Sequence, residues 1–348
     1  PRAAPGYHGR DATGSDQGDA AMDTTTTAGL FPPLGLGTAP LGGLFSPVSD
    51  DEAMEVIGAA WDRGIRFFDT APLYGHGASE RRLGAVLRGK PRDSFVVATK
   101  VGRLLRRPEA PAPEDAYYKD TPPERPVFDF SHDGVMRSFE ESLGRLGLDR
   151  IDILHLHDPD AHEAEAAGGA LRALARLRAE GAIRAVGAGM NQWQMLARLA
   201  QAGDFDCFLL AGRYTLLDHS ALAEFLPLCA RRGIRVIAGG VYNSGLLADP
   251  RPGARFNYDE APPGLVARAQ LLAAACRSHG VELRAAAVQF PRFHPAIATV
   301  LAGPRSVAEL DDTIAMTRVA IPDALWDTLR AEGLLPPGAP TPGHGAAR

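Results

Sequence analysis

The feature that most constrains this chain is a short apolar segment that occurs eight times, each time followed by a stretch with helical spacing. The predicted strands span residues 34–39, 65–69, 95–100, 151–157, 182–188, 207–211, 234–238 and 299–302. Strands that are apolar throughout are typical of parallel sheets that helices cover. Eight such units favour a closed α/β barrel, the (β/α)8 TIM barrel, over an open sheet.

Helices are predicted between these strands, near residues 50–63, 79–89, 132–147, 167–180, 192–202, 220–232 and 263–279, and further helices near 283–292, 306–317 and 322–332. Several of them stop at glycines that suit a left-handed helix end, namely Gly64, Gly147, Gly181, Gly203, Gly233 and Gly280. Long loops follow the third strand (residues 102–131) and the seventh strand (residues 241–263). In a barrel, both loops lie on the rim that usually carries function.

The two ends of the chain lack this alternation. Residues 1–29 are rich in Gly, Asp, Ala and Thr, and we expect a disordered extension there, with Met22 as a candidate start of the natural protein. The barrel is predicted to span residues 30–334. Residues 335–348, which are rich in proline and glycine, are predicted to form a flexible tail.

Composition narrows the choice of partners. The net charge is −5 without a basic patch, so neither nucleic acid nor an anionic membrane surface is an expected partner. No apolar run approaches the roughly 18 residues of a membrane-spanning helix. Three scattered cysteines without metal-ligand spacing suit a reducing cytoplasm. The expected partner is a small molecule, and the sequence specifies no oligomeric state.

Four polar residues fall at or just beyond the carboxyl ends of predicted strands, where a barrel brings its functional groups together: Asp69, Tyr74, Lys100 and His157. Asp69 and Lys100 form either a self-satisfied buried ion pair or a pair that tunes Tyr74. In the second case, the ammonium lowers the phenol pKa from its usual value of about 10, so that Tyr74 exchanges a proton near neutral pH. His157 then orients the substrate oxygen by a hydrogen bond.

Two other motifs have competing interpretations. His155 and His157 lie on one face of the fourth strand and suggest either a metal pair or, as we expect, a hydrogen-bonded interior residue beside the substrate histidine. The pairs Gly35-x-Gly37 and Gly187-x-Gly189 lack the third glycine of a dinucleotide fingerprint, so a Rossmann fold is unsupported.

Taken together, the motifs Asp69-Thr-Ala-x-x-Tyr74-Gly, Thr99-Lys100-Val-Gly and Asp152-x-x-x-x-His157 resemble the three signature regions of the aldo-keto reductase superfamily. The resemblance covers roughly residues 34–321. It implies a (β/α)8 barrel that uses NAD(P)(H) without a Rossmann domain. It also implies that Tyr74 is the proton donor or acceptor, that Lys100 and Asp69 tune it, and that His157 orients the substrate.

Residues 69–77, 209–218 and 241–247 are similar to a narrower branch that contains D-threo-aldose 1-dehydrogenases (L-fucose dehydrogenases) and pyridoxal 4-dehydrogenase. These enzymes oxidise a cyclic hemiacetal to a lactone, with the tyrosine as general base. Three functions therefore stay open: a dehydrogenase for an aldose such as L-fucose, or for pyridoxal; a general aldehyde or ketone reductase; and a non-catalytic, nucleotide-binding regulatory barrel.

The same resemblance implies a cofactor site formed by Thr38, Asp69, Asn191, Ser244, Gly245, Leu246, Gly303, Arg305, Ser306, Glu309 and Asp312. Asn191 matches the residue that binds the nicotinamide carboxamide. Glu309 stands where NADP-preferring relatives often have arginine, so NAD is expected, while Arg305 leaves NADP possible.

Some contacts of the family are replaced in this chain. The glutamine usual on the sixth strand is replaced near Ala211, and the stacking aromatic usual on the seventh by Gly239, so Tyr214 or Tyr242 are candidate substitutes. Substrate contacts are predicted for Tyr74, His157 and Trp193. His76 and Tyr214 are further rim candidates that could equally be packed residues.

Overall fold

Eight parallel strands close into a barrel in the computed structural model, which describes residues 29–110 and 113–343. The strands are β1 (Leu34–Gly37), β2 (Phe67–Asp69), β3 (Val96–Val101), β4 (Ile153–His157), β5 (Ala185–Met190), β6 (Cys207–Ala211), β7 (Arg235–Gly239) and β8 (Ile297–Ala302). Each strand pairs with its neighbours in chain order, and β8 closes the barrel against β1. The predicted TIM barrel is confirmed.

The main helices are α1 (Asp50–Asp62), α2 (Ala78–Leu87), α3 (His132–Leu146), α4 (Leu171–Ala179), α5 (Trp193–Ala202), α6 (Phe225–Arg232), α7 (Pro263–Ser278), α8 (Leu283–Gln289), α9 (Val307–Met316) and α10 (Asp323–Ala331). A helical turn at Glu163–Glu165 and a π-helical turn at Ala166–Ala170 lead into α4. Across residues 29–110 and 113–343, no helix is both long enough and apolar enough to span a membrane.

Two apolar clusters hold the barrel together because side chains alternate along a strand. Phe68 points outward and packs with Val97, Leu154 and the helices in the large outer cluster. Phe67 points inward and belongs to a smaller cluster with other strand residues. That inner cluster also includes Leu30 and Phe31, which precede β1. The barrel interior is therefore a packed core rather than a pore.

The glycines predicted to end helices in a left-handed conformation do so with one exception, although that glycine also follows the last residue of its helix. Gly64, Gly147, Gly181, Gly233 and Gly280 have positive φ angles, as expected. Gly203 is extended, with φ −156°, so the prediction of a left-handed end there was wrong. A Cβ atom at Gly203 would lie 2.3 Å from Leu171 Cδ2, which shows that this glycine serves close packing between segments instead.

The loops after β3 and β7 contain short antiparallel pairs that the sequence did not predict. In the first loop, Arg103–Arg106 pairs with Arg125–Phe128, and we call this element the rim hairpin. In the second, Arg255–Phe256 pairs with Asp259–Glu260. Both long loops thus have defined conformations at the carboxyl end of the barrel.

Part of the predicted flexible tail is packed. Leu335 and Ala339 are buried against the outer core, and Thr341 is buried as well. The Arg330 guanidinium holds this segment by donating to the Ala339 carbonyl oxygen, at 3.1 Å, and to the Thr341 hydroxyl. The expectation of flexibility for residues 335–343 was therefore wrong, because two apolar side chains outweigh the polar composition. Residues 344–348, and residues 1–28 of the predicted extension with Met22, lie outside the described residues.

Candidate active site

A buried ion pair lies at the carboxyl ends of β2 and β3. Lys100 Nζ donates to Asp69 Oδ1 at 2.7 Å and to the Thr70 carbonyl oxygen at 2.9 Å. Both side chains point into the barrel because they are two residues beyond the inward-facing Phe67 and Ala98. Burial raises the pKa of Asp69, and the neighbouring ammonium acts in the opposite direction. The charge pair therefore forms the floor of this end of the barrel.

Tyr74 lies in the turn after β2, directly above this pair. Lys100 Nζ is 4.6 Å from the centroid of the Tyr74 ring, so the cation faces the ring. Burial and the Asp69 carboxylate raise the pKa of Tyr74 well above its usual value. This corrects the expectation that the nearby ammonium lowers the phenol pKa, because desolvation is the larger effect here. The phenol is protonated at neutral pH in this structure.

His157 ends β4 and meets Tyr74 edge to face, with ring centroids 5.8 Å apart. Burial lowers the pKa of His157 well below its usual value, and the nearby Arg103 and Lys100 cations lower it further. The imidazole is therefore neutral and suited to hydrogen-bond an oxygen without carrying charge. The structure brings Asp69, Tyr74, Lys100 and His157 together, as the sequence predicts.

A hydroxyl network lies behind the ion pair. Thr38 Oγ1 donates to the Asp69 carbonyl oxygen at 2.8 Å and is 2.6 Å from Ser79 Oγ. Ser79 Oγ is also 2.9 Å from Thr70 Oγ1. Because the Thr38 hydroxyl is fully buried and bonded, it supports the backbone of Asp69 rather than facing the mouth of the barrel.

Sequence reasoning missed a second ion pair at the mouth. Arg103, the first residue of the rim hairpin, donates from Nη2 to Asp158 Oδ2 at 2.9 Å. The same Oδ2 atom lies 3.6 Å from His157 Nε2. Asp158 has a left-handed backbone, with φ 45°. The sequence did contain a signal for this ion pair, because Asp158 directly follows His157, the histidine of the third motif.

Four aromatic rings from three loops cover the site. Tyr118 stacks on Tyr74 with centroids 6.2 Å apart, and Tyr258 packs against Phe45 and Tyr117 at 6.1 and 5.6 Å. Tyr258 also forms a side-chain hydrogen bond with Asn191, which follows β5. Sequence reasoning missed Phe45, Tyr117, Tyr118 and Tyr258 because they lie in loops without periodicity.

His76 acts on this cover rather than on the ion pair. It is buried, and its Nε2 lies 3.2 Å from Asp115 Oδ2. Asp115 Oδ1 accepts from the backbone N–H groups of Tyr117 and Tyr118, both at 2.8 Å. His76 therefore helps to fix the loop that places Tyr118 over Tyr74.

A cavity of about 460 Å³ lies at the N-terminus of α9, beside two of the predicted cofactor residues after β8. Its lining includes Arg305 and Ser306, together with Glu52 and Glu55 of α1. Glu309 is bonded within this region, since its Oε2 accepts from the Arg305 backbone N–H at 2.8 Å. The helix N-terminus favours a dinucleotide phosphate beside this cavity, whereas the Glu52 and Glu55 carboxylates oppose one on the α1 side.

The other predicted cofactor residues differ in backbone conformation, burial and bonding partners. Ser244 and Gly245 have positive φ angles in the loop after β7, whereas Leu246 is a buried core residue. Gly303 is exposed between β8 and α9. The Asp312 carboxylate forms an ion pair with Arg284 of α8, at 2.9 Å. Asp312 and Leu246 thus have structural partners of their own.

The remaining aromatic candidates lie in or against the outer core. Trp193 begins α5 and packs there partly buried, as does Tyr242. Tyr214 is buried beside Phe290 and His294. A direct role of these three side chains at the site stays a prediction.

His155 lies in the barrel interior, next to Lys100 in the β3–β4 register. Burial lowers its pKa to about 3, with Lys100 contributing. Neither ring nitrogen has a hydrogen-bond partner within residues 29–110 and 113–343, so the expectation of a hydrogen-bonded histidine was wrong. Gly187 accommodates the ring, since a Cβ atom there would lie 2.2 Å from His155 Nδ1. In the same described ranges, no group of three or more His, Cys, Asp or Glu is arranged to hold a metal ion.

Comparisons with known proteins agree with this geometry. Residues 33–332 match the model of the aldo/keto reductase family. The chain is 46% identical over 322 residues to a pyridoxal 4-dehydrogenase of Microbacterium luteolum, covering 87% of this chain and 94% of that protein. It is 44% identical over 318 residues to a D-threo-aldose 1-dehydrogenase of Pseudomonas sp, covering 89% and 96%. An aldo-keto reductase structure from Bacillus halodurans has the same fold, with TM-score 0.67, 22% identity, and coverage of 86% and 91%.

Proposed function

Because the chain belongs to the aldo/keto reductase family, an oxidoreductase family whose dehydrogenase members imply a nicotinamide cofactor, we propose that it is an NAD-dependent aldose 1-dehydrogenase. It oxidises the hemiacetal carbon of a cyclic aldose, such as L-fucose or another D-threo-aldose, to the lactone. The observation that carries this proposal is the contact of Tyr74 with both Lys100 and His157 at the carboxyl end of the barrel.

Tyr74 is the general base for the anomeric hydroxyl, and His157 orients the same oxygen by a hydrogen bond. Burial lowers the pKa of His157, and a neutral imidazole can hydrogen-bond the substrate oxygen without exchanging a proton with it. The Asp69–Lys100 pair keeps a cation against the phenol ring as the phenolate forms. A bound nicotinamide supplies the hydride acceptor.

The raised pKa of Tyr74 sets the expected pH dependence. Oxidation needs the deprotonated phenol, whose fraction grows as pH rises toward that pKa. Reduction of a carbonyl needs the protonated phenol, which is already present at neutral pH. We therefore expect kcat/KM for oxidation to increase from neutral to alkaline pH, and kcat/KM for reduction to fall over the same range.

NAD is the proposed cofactor because carboxylates border the cavity at α9. Glu52, Glu55 and Glu309 would repel the 2′-phosphate of NADP and can accept from a ribose hydroxyl. The Arg305 guanidinium is already engaged by the Leu44 carbonyl oxygen, at 3.1 Å, and by Ser46.

Three buried free thiols, Cys207, Cys229 and Cys276, support a cytoplasmic location.

Pyridoxal is the second candidate substrate, favoured by the relative with 46% identity. Absorbance at 340 nm with L-fucose, D-arabinose, pyridoxal and a simple aldehyde separates the candidates. The Tyr74→Phe variant should lose about 100- to 10,000-fold in kcat while still binding nucleotide, and Tyr117→Phe on the exposed rim is the matched control. Near-normal turnover by Tyr74→Phe would remove the residue from its role. Nucleotide binding without turnover of any substrate by the wild type would favour a regulatory barrel.

The cofactor preference has its own measurement. The ratio of kcat/KM for NAD and NADP should favour NAD, and Glu309→Gln should reduce that ratio by removing a charge near the phosphate. Glu260→Gln, in the short strand pair after β7, controls for a change in net charge. An advantage of tenfold or more for NADP in the wild type would contradict the proposal.

A further inference from the structure

The proposed chemistry leaves the Arg103–Asp158 pair at the mouth without a role. Asp158 Oδ2 accepts from Arg103 Nη2 at 2.9 Å and lies 3.6 Å from His157 Nε2. The Asp158 side chain is 32% exposed, while the Asp69 side chain in the floor is only 2% exposed. A partly exposed carboxylate and a largely buried guanidinium, whose side chain is 15% exposed, therefore lie side by side next to the histidine that orients the substrate.

We propose that Arg103 and Asp158 bind two adjacent hydroxyls of a sugar ring and thereby select aldoses over pyridoxal. This inference rests on the proposed function and specifies the substrate class of the same site. Each sugar hydroxyl can donate one hydrogen bond and accept another. Adjacent hydroxyls lie within hydrogen-bond distance of each other, as do Arg103 Nη2 and Asp158 Oδ2. One hydroxyl can thus donate to the carboxylate while its neighbour accepts from the guanidinium.

The balance of charge at the mouth favours a neutral ligand. The charged groups nearest this position are Lys100 and Arg103 on one side, and Asp69 and Asp158 on the other, with the exposed Asp160 at the edge. A sugar presents hydroxyls and no formal charge. Pyridoxal presents a ring nitrogen that becomes cationic when it is protonated, and a cation close to Asp158 would also lie close to Arg103. The pair therefore suits a diol better than a pyridinium.

The backbone fixes the carboxylate in this position. Asp158 has φ 45°, a conformation that aspartate tolerates better than most residues, and Pro159 follows it. The Asp158 N–H donates to the Gly189 carbonyl oxygen at 3.2 Å, which ties the end of β4 to the end of β5. The carboxylate is consequently held by the barrel rather than by a free loop.

The aromatic cover complements this pair. Tyr118 is buried and stacks on Tyr74, so its ring lies directly against the catalytic phenol. A sugar ring at the edge of the stacked Tyr74 and Tyr118 rings would present C–H groups to them, while its hydroxyls reach the polar pair. Burial raises the pKa of both Tyr74 and Tyr118, and the Asp158 charge lies near enough to add to the shift of each phenol.

The test compares Asp158→Asn and Arg103→Gln with Asp160→Asn, which removes an exposed carboxylate two residues away. L-fucose, a deoxy analogue that lacks a ring hydroxyl, and pyridoxal are assayed with NAD. We expect each pair variant to lose about 10- to 100-fold in kcat/KM for L-fucose, mainly through KM, because one charge-assisted hydrogen bond is lost. Pyridoxal turnover should change less than about threefold in the same variants, which shows that His157 remains in place.

Two further results decide the matter. The deoxy analogue is chosen to lack the hydroxyl that would contact Asp158. With this analogue, the wild type should already show the lower kcat/KM, and Asp158→Asn should lower it little further, because the two changes remove the same contact. Equal losses for L-fucose and pyridoxal, or no loss for L-fucose, would overturn the inference while leaving the proposed function intact. A wild type that turns over pyridoxal or a simple aldehyde but no aldose would overturn both. If Asp158→Asn does not fold, Arg103→Gln alone decides.

Discussion

The floor and the cover of the site are built in different ways. The floor consists of Asp69, Lys100 and His157, which lie at strand ends and are buried. The cover consists of Phe45, Tyr117, Tyr118 and Tyr258, which come from loops and pack mainly on one another. Barrel register fixes the floor to the whole fold, whereas loop contacts alone fix the cover.

This difference indicates which amino-acid substitutions the site can tolerate. A buried charge has no water to replace a lost partner, so removing one member of the Asp69–Lys100 pair leaves an uncompensated group. The Tyr117 side chain is 44% exposed, so water can replace much of what it contacts. Floor residues should therefore determine turnover and stability, and cover residues should adjust affinity and specificity.

The largest expected contrast is between two lysines. Lys100→Met should lower kcat by about 100- to 1,000-fold, because the phenolate of Tyr74 loses its cation. Lys119→Met, in the loop of the cover, should stay within about threefold, because its ammonium donates to the backbone carbonyl oxygens of Asp115 and Ala116. Steady-state kinetics and urea unfolding measure both. Adding Asp69→Asn to Lys100→Met should restore stability without restoring turnover. Similar kcat values for the two lysine variants would contradict the proposed difference between the floor and the cover.

A smaller effect is expected from packing inside the barrel. In Gly187→Ala the new Cβ atom would lie 2.2 Å from His155 Nδ1, so we expect a loss of about 1–3 kcal/mol in the free energy of unfolding. Gly58→Ala is the control, since α1 leaves open space at that position. It should gain about 0.5–1 kcal/mol by restricting the unfolded chain. Equal denaturant midpoints for the wild type and Gly187→Ala would show that the barrel interior adapts to the added methyl group more easily than the structure indicates.

The smallest expected effect concerns the cover. Tyr258→Phe removes the hydroxyl that bonds Asn191, the residue expected to bind the nicotinamide carboxamide. Because that hydroxyl competes for Asn191, its removal should lower KM for NAD by about two- to fivefold with kcat nearly unchanged. Tyr117→Phe serves as the control. A large fall in kcat would show that Tyr258 belongs functionally with the floor.

The sequence predicted the floor because strand periodicity and strand-end chemistry are local signals. Apolar runs located β2, β3 and β4, and the barrel then required Asp69, Lys100 and His157 to converge. The tilt of the Tyr74 ring toward Lys100 was not predictable, since it depends on the turn after β2. The direction of the phenol pKa was predicted wrongly because burial of the Tyr74 side chain raises it.

The cover and the second ion pair could not be predicted from periodicity. Tyr118 and Tyr258 come from loops whose pairing depends on contacts between distant segments. Asp158 was visible in the motif, but its partner Arg103 lies 55 residues away. The packed segment at residues 335–343 was also missed, because composition describes a whole stretch while burial is decided by single apolar side chains.

Leu30 and Phe31 have a practical consequence for anyone who handles this protein. Their side chains enter the inner cluster of the barrel, with Phe67 and Ile153 as members of the same cluster. An affinity tag or a fusion partner joined close to residue 30 would interfere with the packing of these two side chains. Shortening the chain past Phe31 would remove them and expose the inner cluster at the end of the barrel opposite the catalytic mouth. Expression designs should therefore leave a spacer before residue 29.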